Sequence, residues 1–220
     1  QANDVIGLAE RGSSTKIIFD IHDQLGDSSC VTCGECVQAC PTDALISKTD
    51  PTKAAPDKTV NSVCPYCGVG CLLTFNIRKD KIVSVTGQNG PSNESRLCVK
   101  GRYGFDYIHH KDRLTRPLVR LADAKKTPNL VEQSDILNYF RETSWEEALQ
   151  IAARGFSQIK QEFGSRALAG LGSAKGSNEE AYLFQKLIRT GFGTNNVDHC
   201  TRLCHASSVA AMLEMLGSAA

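Results

Sequence analysis

Ten cysteines fall into three groups in this chain: Cys30, Cys33, Cys36 and Cys40, then Cys64, Cys67, Cys71 and Cys98, then Cys200 and Cys204. Cysteines two or three residues apart are poorly placed to bridge each other, but well placed to converge on one metal centre. A disulfide scaffold instead spreads its bridges through a short, loop-rich secreted chain. The grouping predicts a metalloprotein in a reducing, cytoplasmic compartment.

The first group reads Cys30-x2-Cys33-x2-Cys36-x3-Cys40-Pro41. This is the bacterial ferredoxin ligand run for a 4Fe–4S cluster, thiolates being the soft ligands that iron–sulfur cores require. A zinc knuckle is the competing reading of the same residues. In two-cluster ferredoxins the fourth cysteine serves the other cluster. Either the run closes on itself or a second run stands upstream of Gln1 and shares Cys40. Residues 1–29 hold no spare set, so the upstream run is the expectation.

The second group reads Cys64-x2-Cys67-x3-Cys71-x26-Cys98. Gly68 and Gly70 let the backbone pass close to a cluster, and an intervening hairpin returns the chain so that Cys98 supplies a fourth thiolate. Four cysteines also suit Zn²⁺, although this spacing resembles neither common zinc pattern. An oxidised 4Fe–4S core with four thiolates carries a net charge of about 2−. Arg96, Lys100 and Arg102, beside the last ligand, are the cations suited to offset it.

The segments VCPYCGVGC (63–71) and RLCVKGRYGFDYIHH (96–110) resemble the N-terminal cluster domain of the molybdopterin-dinucleotide oxidoreductases. That family includes the formate dehydrogenases and the periplasmic and assimilatory nitrate reductases. NNVDHCTRLCHASSV (195–209) resembles the metal-ligand segment of formate dehydrogenases. With the ferredoxin-like run, the resemblance covers nearly the whole chain, and it is strongest to the catalytic subunit of cytosolic, NAD-linked formate dehydrogenases.

The resemblance implies that Cys204 ligates Mo or W within a bis-molybdopterin guanine dinucleotide centre, with His205 beside the metal at the substrate site. It implies that Lys100 lies on the electron path between the nearer cluster and a pterin. The implied reaction is two-electron oxidation of formate to CO₂, relayed through the 4Fe–4S clusters to a flavin- and NAD-binding iron–sulfur partner subunit. A soft thiolate suits a sulfur-coordinated metal, and a histidine titrating near neutrality suits proton handling. A place at the start of a helix would lower the Cys204 pKa. Rival readings are a nitrate reductase-type enzyme and a non-catalytic electron-transfer subunit resembling the large iron–sulfur subunit of respiratory complex I. Cys200 is expected as a structural thiol packed under the site, and His109 and His110 as the end of a helix.

These residues need elements to hold them. TKIIFDI (15–21) predicts a short strand, and the first cysteine run a compact loop and helix. Residues 47–62 are polar and aperiodic and predict a linker. LLTFNIR and KIVSVTG predict a hairpin turning at Lys79-Asp80, and Gly101 to His110 a short helix. Residues 113–129 are mixed, with Pro117 and Pro128 limiting regular structure. Ser144 with Glu147 is a capping box opening an amphipathic helix over 145–163, with Gly164 as its stop. ALAGLGSA (167–174) predicts a buried strand. Ser177 with Glu180 opens a second helix to about residue 191, and a third starts near Cys204. The loop SAKGSN (173–178), between that strand and a helix N-terminus, is a candidate phosphate contact for a dinucleotide cofactor through Lys175.

The expected fold class is mixed, α+β and α/β. A ferredoxin-like module spans 1–50, a linker 51–62 and a small β-rich 4Fe–4S domain 63–120. Residues 121–220 then begin an α/β molybdopterin-binding domain. In the 220 residues Lys plus Arg is 25 and Asp plus Glu 24, a balance that argues against a nucleic-acid binder. The apolar content of 41% suits a packed core rather than disorder. No run approaches the ~18–20 apolar residues that span a bilayer. No signal peptide or twin-arginine pair is seen, and Gln1 is not an initiator Met, which leaves the true N-terminus open.

Overall fold

The computed structural model describes residues 3–21, 24–50, 54–126 and 131–218. Residues 51–53 of the expected linker, and Pro128, lie outside the described residues. The chain divides into two compact units, Gln1–Ile108 and His109–Ala220. That division falls inside the span 63–120 expected as one domain, and it puts both four-cysteine runs in the first unit.

In the first unit, β1 (Ile6–Ala9) pairs antiparallel with β2 (Lys16–Phe19), the strand expected over 15–21. The first cysteine run follows as a loop into α1 (Glu35–Ala39). A three-stranded antiparallel sheet comes next: β3 (Lys58–Val63), β4 (Leu72–Arg78) and β5 (Lys81–Gly87), in that order. The strand β3 lies where a linker was expected. Its alternating Lys58, Thr59, Asn61 and Ser62 are poor core residues, and only pairing along β4 gives this stretch its extended form. The β4–β5 hairpin turns at Lys79 and Asp80, both at positive φ (50° and 58°), as a two-residue hairpin turn demands. Leu73 and Phe75 alternate along β4 onto one face. There Leu73, Val85, Leu97, Phe105 and the thiol of Cys64 form the buried core.

Between the sheet and the end of this unit lie α2 (Val99–Tyr103) and a 3-10 turn, Asp106–His109. These replace the single helix expected over 101–110, and His109 closes the turn.

The second unit opens on a two-stranded ribbon, β6 (Leu118–Arg120) with β7 (Phe140–Glu142). Next comes α3 (Trp145–Phe163), whose Ser144 Oγ accepts the Glu147 amide at 3.2 Å and whose C-cap is Gly164. The expected helix and both its signals are present, yet none of its residues is buried. The strand expected over 167–174 is shorter, β8 (Gly170–Gly172), and only Gly170 of it is buried; Leu171 is 82% exposed. Ser177 and Glu180 form a reciprocal capping box on α4 (Asn178–Lys186), which continues as a π-helical segment, Leu187–Phe192. Then β9 (Val197–His199) pairs parallel to β8, completing a βαβ unit. Two helices close the described chain, α5 (Thr201–Cys204) and α6 (Ala206–Leu216).

Candidate cluster sites and metal-ligand segment

In the first unit, Cys64, Cys67, Cys71 and Cys98 line one cavity of about 430 Å³, with Arg96, Leu97 and Lys100. Cys64 and Cys71 end the paired strands and stay linked, the Cys64 amide donating to the Cys71 carbonyl at 2.8 Å. Gly70, at φ 72°, makes the left-handed step between Cys67 and Cys71 that a side chain would resist. Cys98 stands just before α2 on a loop tied down by Asn93. The Asn93 Nδ2 donates to the carbonyls of Leu72, Gln88 and Arg96 at 3.0–3.1 Å, while its Oδ1 accepts the Leu72 amide at 3.0 Å.

Burial pushes the Cys64 thiol up, and Cys71, Cys98 and Cys67 push it further. Cys71 is raised by burial and then by Cys67 and Cys98. Cys64 and Cys71 therefore resist becoming thiolates unless a positive centre joins them. Among the described residues no three His, Cys, Asp or Glu side chains gather tightly enough for a single metal ion. Four thiols lining one cavity are the soft donors an iron–sulfur core requires, so this donor set fits a 4Fe–4S cluster. Burial, then the neighbouring Tyr107, pushes the Tyr66 phenol beside this cavity up to about 12, so it adds no further anion.

The first run is less symmetrical. Thr32 and Gly34 both take positive φ (55° and 72°), coiling the chain so that Cys30, Cys33 and Cys36 face one another. Cys36 is raised by burial and then by Cys33 and Cys30. Cys40 Sγ lies 3.6 Å from Thr42 Oγ1. That hydrogen bond, helped by backbone amides of residues 42–45, lowers its thiol to about 7. Cys30, Cys33 and Cys36 thus form one group of soft donors of the kind an iron–sulfur cluster takes.

The cations expected beside Cys98 separate. Arg96 and Lys100 line the thiol cavity, Arg96 also pairing with Glu94 at 3.8 Å. Arg102 does not line it. Its side chain is buried, only 4% of the residue being exposed, and it reaches back to α1, where it pairs with Glu35 and donates to Gln38 Oε1 at 2.7 Å. Glu35 and Gln38 are functional candidates that motif reading missed. The available signal was a lone acidic residue wedged between two ligand cysteines.

In the second unit, the loops following the C-terminal ends of the parallel strands β8 and β9 meet. In open α/β sheets this edge is the usual ligand crevice. The Ala174 amide donates to Cys200 Sγ at 3.1 Å, joining the 173–178 loop to the segment that leads to Cys204. Lys175, whose amide donates to Ser173 Oγ at 3.1 Å, lines a cavity of about 500 Å³ with Ser177, Asp198 and His199. His199 Nδ1 accepts the Thr201 amide at 3.1 Å, so the Thr201 hydroxyl donates to it at 2.6 Å. Asp198, in β9, is lowered first by the His199 amide and then by Arg202, its ion-pair partner in α5. Cys200 is exposed rather than packed beneath a site. Its sulfur serves as an acceptor for the neighbouring loop. Cys204 is exposed at the end of α5, and His205 links it to α6. An accessible cysteine sulfur is the soft donor a dithiolene-bound metal takes, so this segment also fits its expected ligand.

Comparison with known proteins agrees with this geometry. Residues 26–46 match the family described as 4Fe-4S binding domain, residues 57–110 the Molybdopterin oxidoreductase Fe4S4 domain, and residues 113–219 Molybdopterin oxidoreductase. The chain belongs to the molybdopterin oxidoreductases that carry an Fe4S4 domain. It is 37% identical over 216 residues to "NADPH-Fe(3+) oxidoreductase subunit alpha" of Geobacter sulfurreducens, covering 97% of this chain and 23% of that protein. It is 33% identical over 243 residues to "Probable oxidoreductase YjgC" of Bacillus subtilis, covering 92% and 23%. It is 31% identical over 258 residues to "Putative formate dehydrogenase SH0748" of Staphylococcus haemolyticus, covering 99% and 25%. The chain thus spans about a quarter of the length of the curated relatives it matches.

Proposed function

We infer that the chain is the cluster-bearing and metal-ligating part of a formate dehydrogenase large subunit. The observation that carries this reading is the meeting of two loops at one edge of a parallel strand pair, one bearing Lys175 and the other leading to Cys204 and His205. Under it, Cys204 is the protein ligand to Mo or W, and Lys175 contacts a phosphate of the bis-molybdopterin guanine dinucleotide. When bound, the metal centre supplies the two-electron redox chemistry and the clusters carry the electrons away.

The chain's own residues do the rest. His205, next to the ligand, takes the proton released as formate becomes CO₂. Cys64, Cys67, Cys71 and Cys98 hold the nearer cluster, with Lys100 as the cation on the electron path. Cys30, Cys33 and Cys36 hold the next cluster, and Cys40 serves one whose other ligands lie outside this chain. The domain limits 1–50, 51–62, 63–120 and 121–220 belong to the same reading. So do a flavin- and NAD-binding partner subunit and a cytoplasmic location. All ten cysteines being free thiols supports the latter, and among the described residues no helix is long and apolar enough to cross a membrane.

A second reading is favoured by the relative whose name is that of an NADPH-Fe(3+) oxidoreductase subunit. The clusters would then pass electrons between other subunits without formate chemistry. The full-length protein, purified without oxygen, separates the two. Formate-dependent dye reduction with stoichiometric Mo or W is expected, and Cys204→Ser should lower it on the order of a thousandfold or more while leaving iron in place. Iron without Mo or W, or no response to formate, overturns the formate reading.

A further inference from the structure

Arg102 touches the backbone of a cysteine from each run. Its amide donates to the Cys98 carbonyl at 3.1 Å, and its Nε donates to the Cys33 carbonyl at 2.7 Å. The rest of its guanidinium is taken up by Glu35 and by Gln38 Oε1. These two partners stitch the runs together a second time. Glu35 Oε1 also accepts the Leu97 amide at 2.9 Å, one residue before Cys98. Gln38 Oε1 accepts the Gly87 amide at 3.0 Å, and its Nε2 donates to the Ser95 carbonyl at 3.2 Å. Gly34 leaves the room: a Cβ there would lie 2.3 Å from Arg102 Cδ. A surface cation offsetting cluster charge would not need this fit. A planar fork with fixed donors does, and lysine could not replace it.

We propose that Arg102, clamped by Glu35 and Gln38, is the positioning residue for electron passage between the two cluster sites, holding the Cys33 loop against the Cys98 helix and placing one buried positive charge between them. The proposal rests on the reading of both cysteine sets as 4Fe–4S sites. The step it serves is simple in balance. With clusters bound, Cys64, Cys67, Cys71 and Cys98 would hold the one-electron donor, which would be oxidised, and Cys30, Cys33 and Cys36 the acceptor, which would be reduced. No bond forms or breaks and no proton moves.

The test uses the anaerobically purified full-length protein, with iron and acid-labile sulfide measured first. A wild type lacking iron in either site sinks the cluster reading itself, whatever Arg102 does. In an iron-replete wild type with both clusters reduced, paramagnetic resonance should show mutual broadening of the two signals. R102Q should keep its iron, lose that broadening, and lower both midpoint potentials, because removing a cation destabilises the more negative reduced states. E35Q keeps the shape of its side chain and removes an anion, so it should raise both potentials. Opposite shifts of both clusters are a signature that loosened packing alone does not produce. If R102Q fails to retain iron, the E35Q shift decides. An iron-replete R102Q with unchanged broadening and potentials overturns the proposal, as does an E35Q that moves neither cluster or only one.

Discussion

In the first unit Cys64 is 5% exposed and packs in the same core as Leu73 and Leu97, whereas in the second Cys204 lies on open surface at the end of a four-residue helix. One candidate ligand is part of what holds its unit together. The other is exposed at the end of its helix. The surroundings follow the same division. The thiol cavity of the first unit rests on a three-stranded sheet with a fully paired Asn93 beneath it. In the second unit the buried apolar residues among those described are Leu168 and Ile188, while Leu149, Phe163, Leu203 and Met215 are exposed. The first unit closes a core around its own cysteines, whereas the second, in a chain spanning about a quarter of its relatives' length, leaves most of its apolar helix faces without cover.

The comparison breaks most sharply at the cysteines themselves. Cys64→Ser should remove about four iron atoms per chain and lower the unfolding midpoint of the first unit, measured by iron analysis and circular dichroism. Cys204→Ser should leave both unchanged. Equal losses from the two substitutions would erase the distinction drawn here. Next in size, Leu73→Ala should destabilise the first unit by about 2–5 kcal/mol in denaturant titration, since Leu73 is 1% exposed. Leu203→Ala, at 87% exposure, should stay within about 0.5 kcal/mol.

Smaller effects probe the second unit's helices. Ser177→Ala removes the hydroxyl that accepts the Glu180 amide, leaving the other half of the reciprocal cap on α4, and should cost about 1 kcal/mol, read from the same titration. The smallest is a pH effect at Glu147. Hydrogen bonds from Arg141 and then Thr143 hold its carboxyl at about 2, below its ordinary 4.5. A depressed carboxylate stabilises the fold above its unfolded value and loses that contribution as pH falls through the folded one. Stability should therefore decline between about pH 4.5 and 2, weakly because the pair is exposed, and Glu147→Gln should flatten that decline in thermal melts at stepped pH.

Much of this was legible in the chain before any folding. The spacing of the cysteines, the hairpin at Lys79-Asp80 and the caps at Ser144 and Ser177 are local patterns, set by neighbours a few residues apart. The strand Lys58–Val63 was not legible, because a polar stretch becomes a strand only when a partner such as β4 pairs with it. Residues 167–174 misled in the other direction: their apolar run suggested burial, but a strand needs covering layers, and most of that strand is uncovered. Arg102 was misread for a related reason. Its place beside Cys98 suggested a charge facing that cluster, and sequence distance hid the acceptors on Cys33, Glu35 and Gln38.

By itself the sequence determined which side chains can bind soft metals, because thiolate chemistry and short-range spacing are properties of a local stretch. Tertiary structure alone decided which thiols gather around one cavity and that Arg102 is a buried strut. Each of those outcomes depends on side chains far apart in the chain meeting where water is excluded, and only packing brings them there.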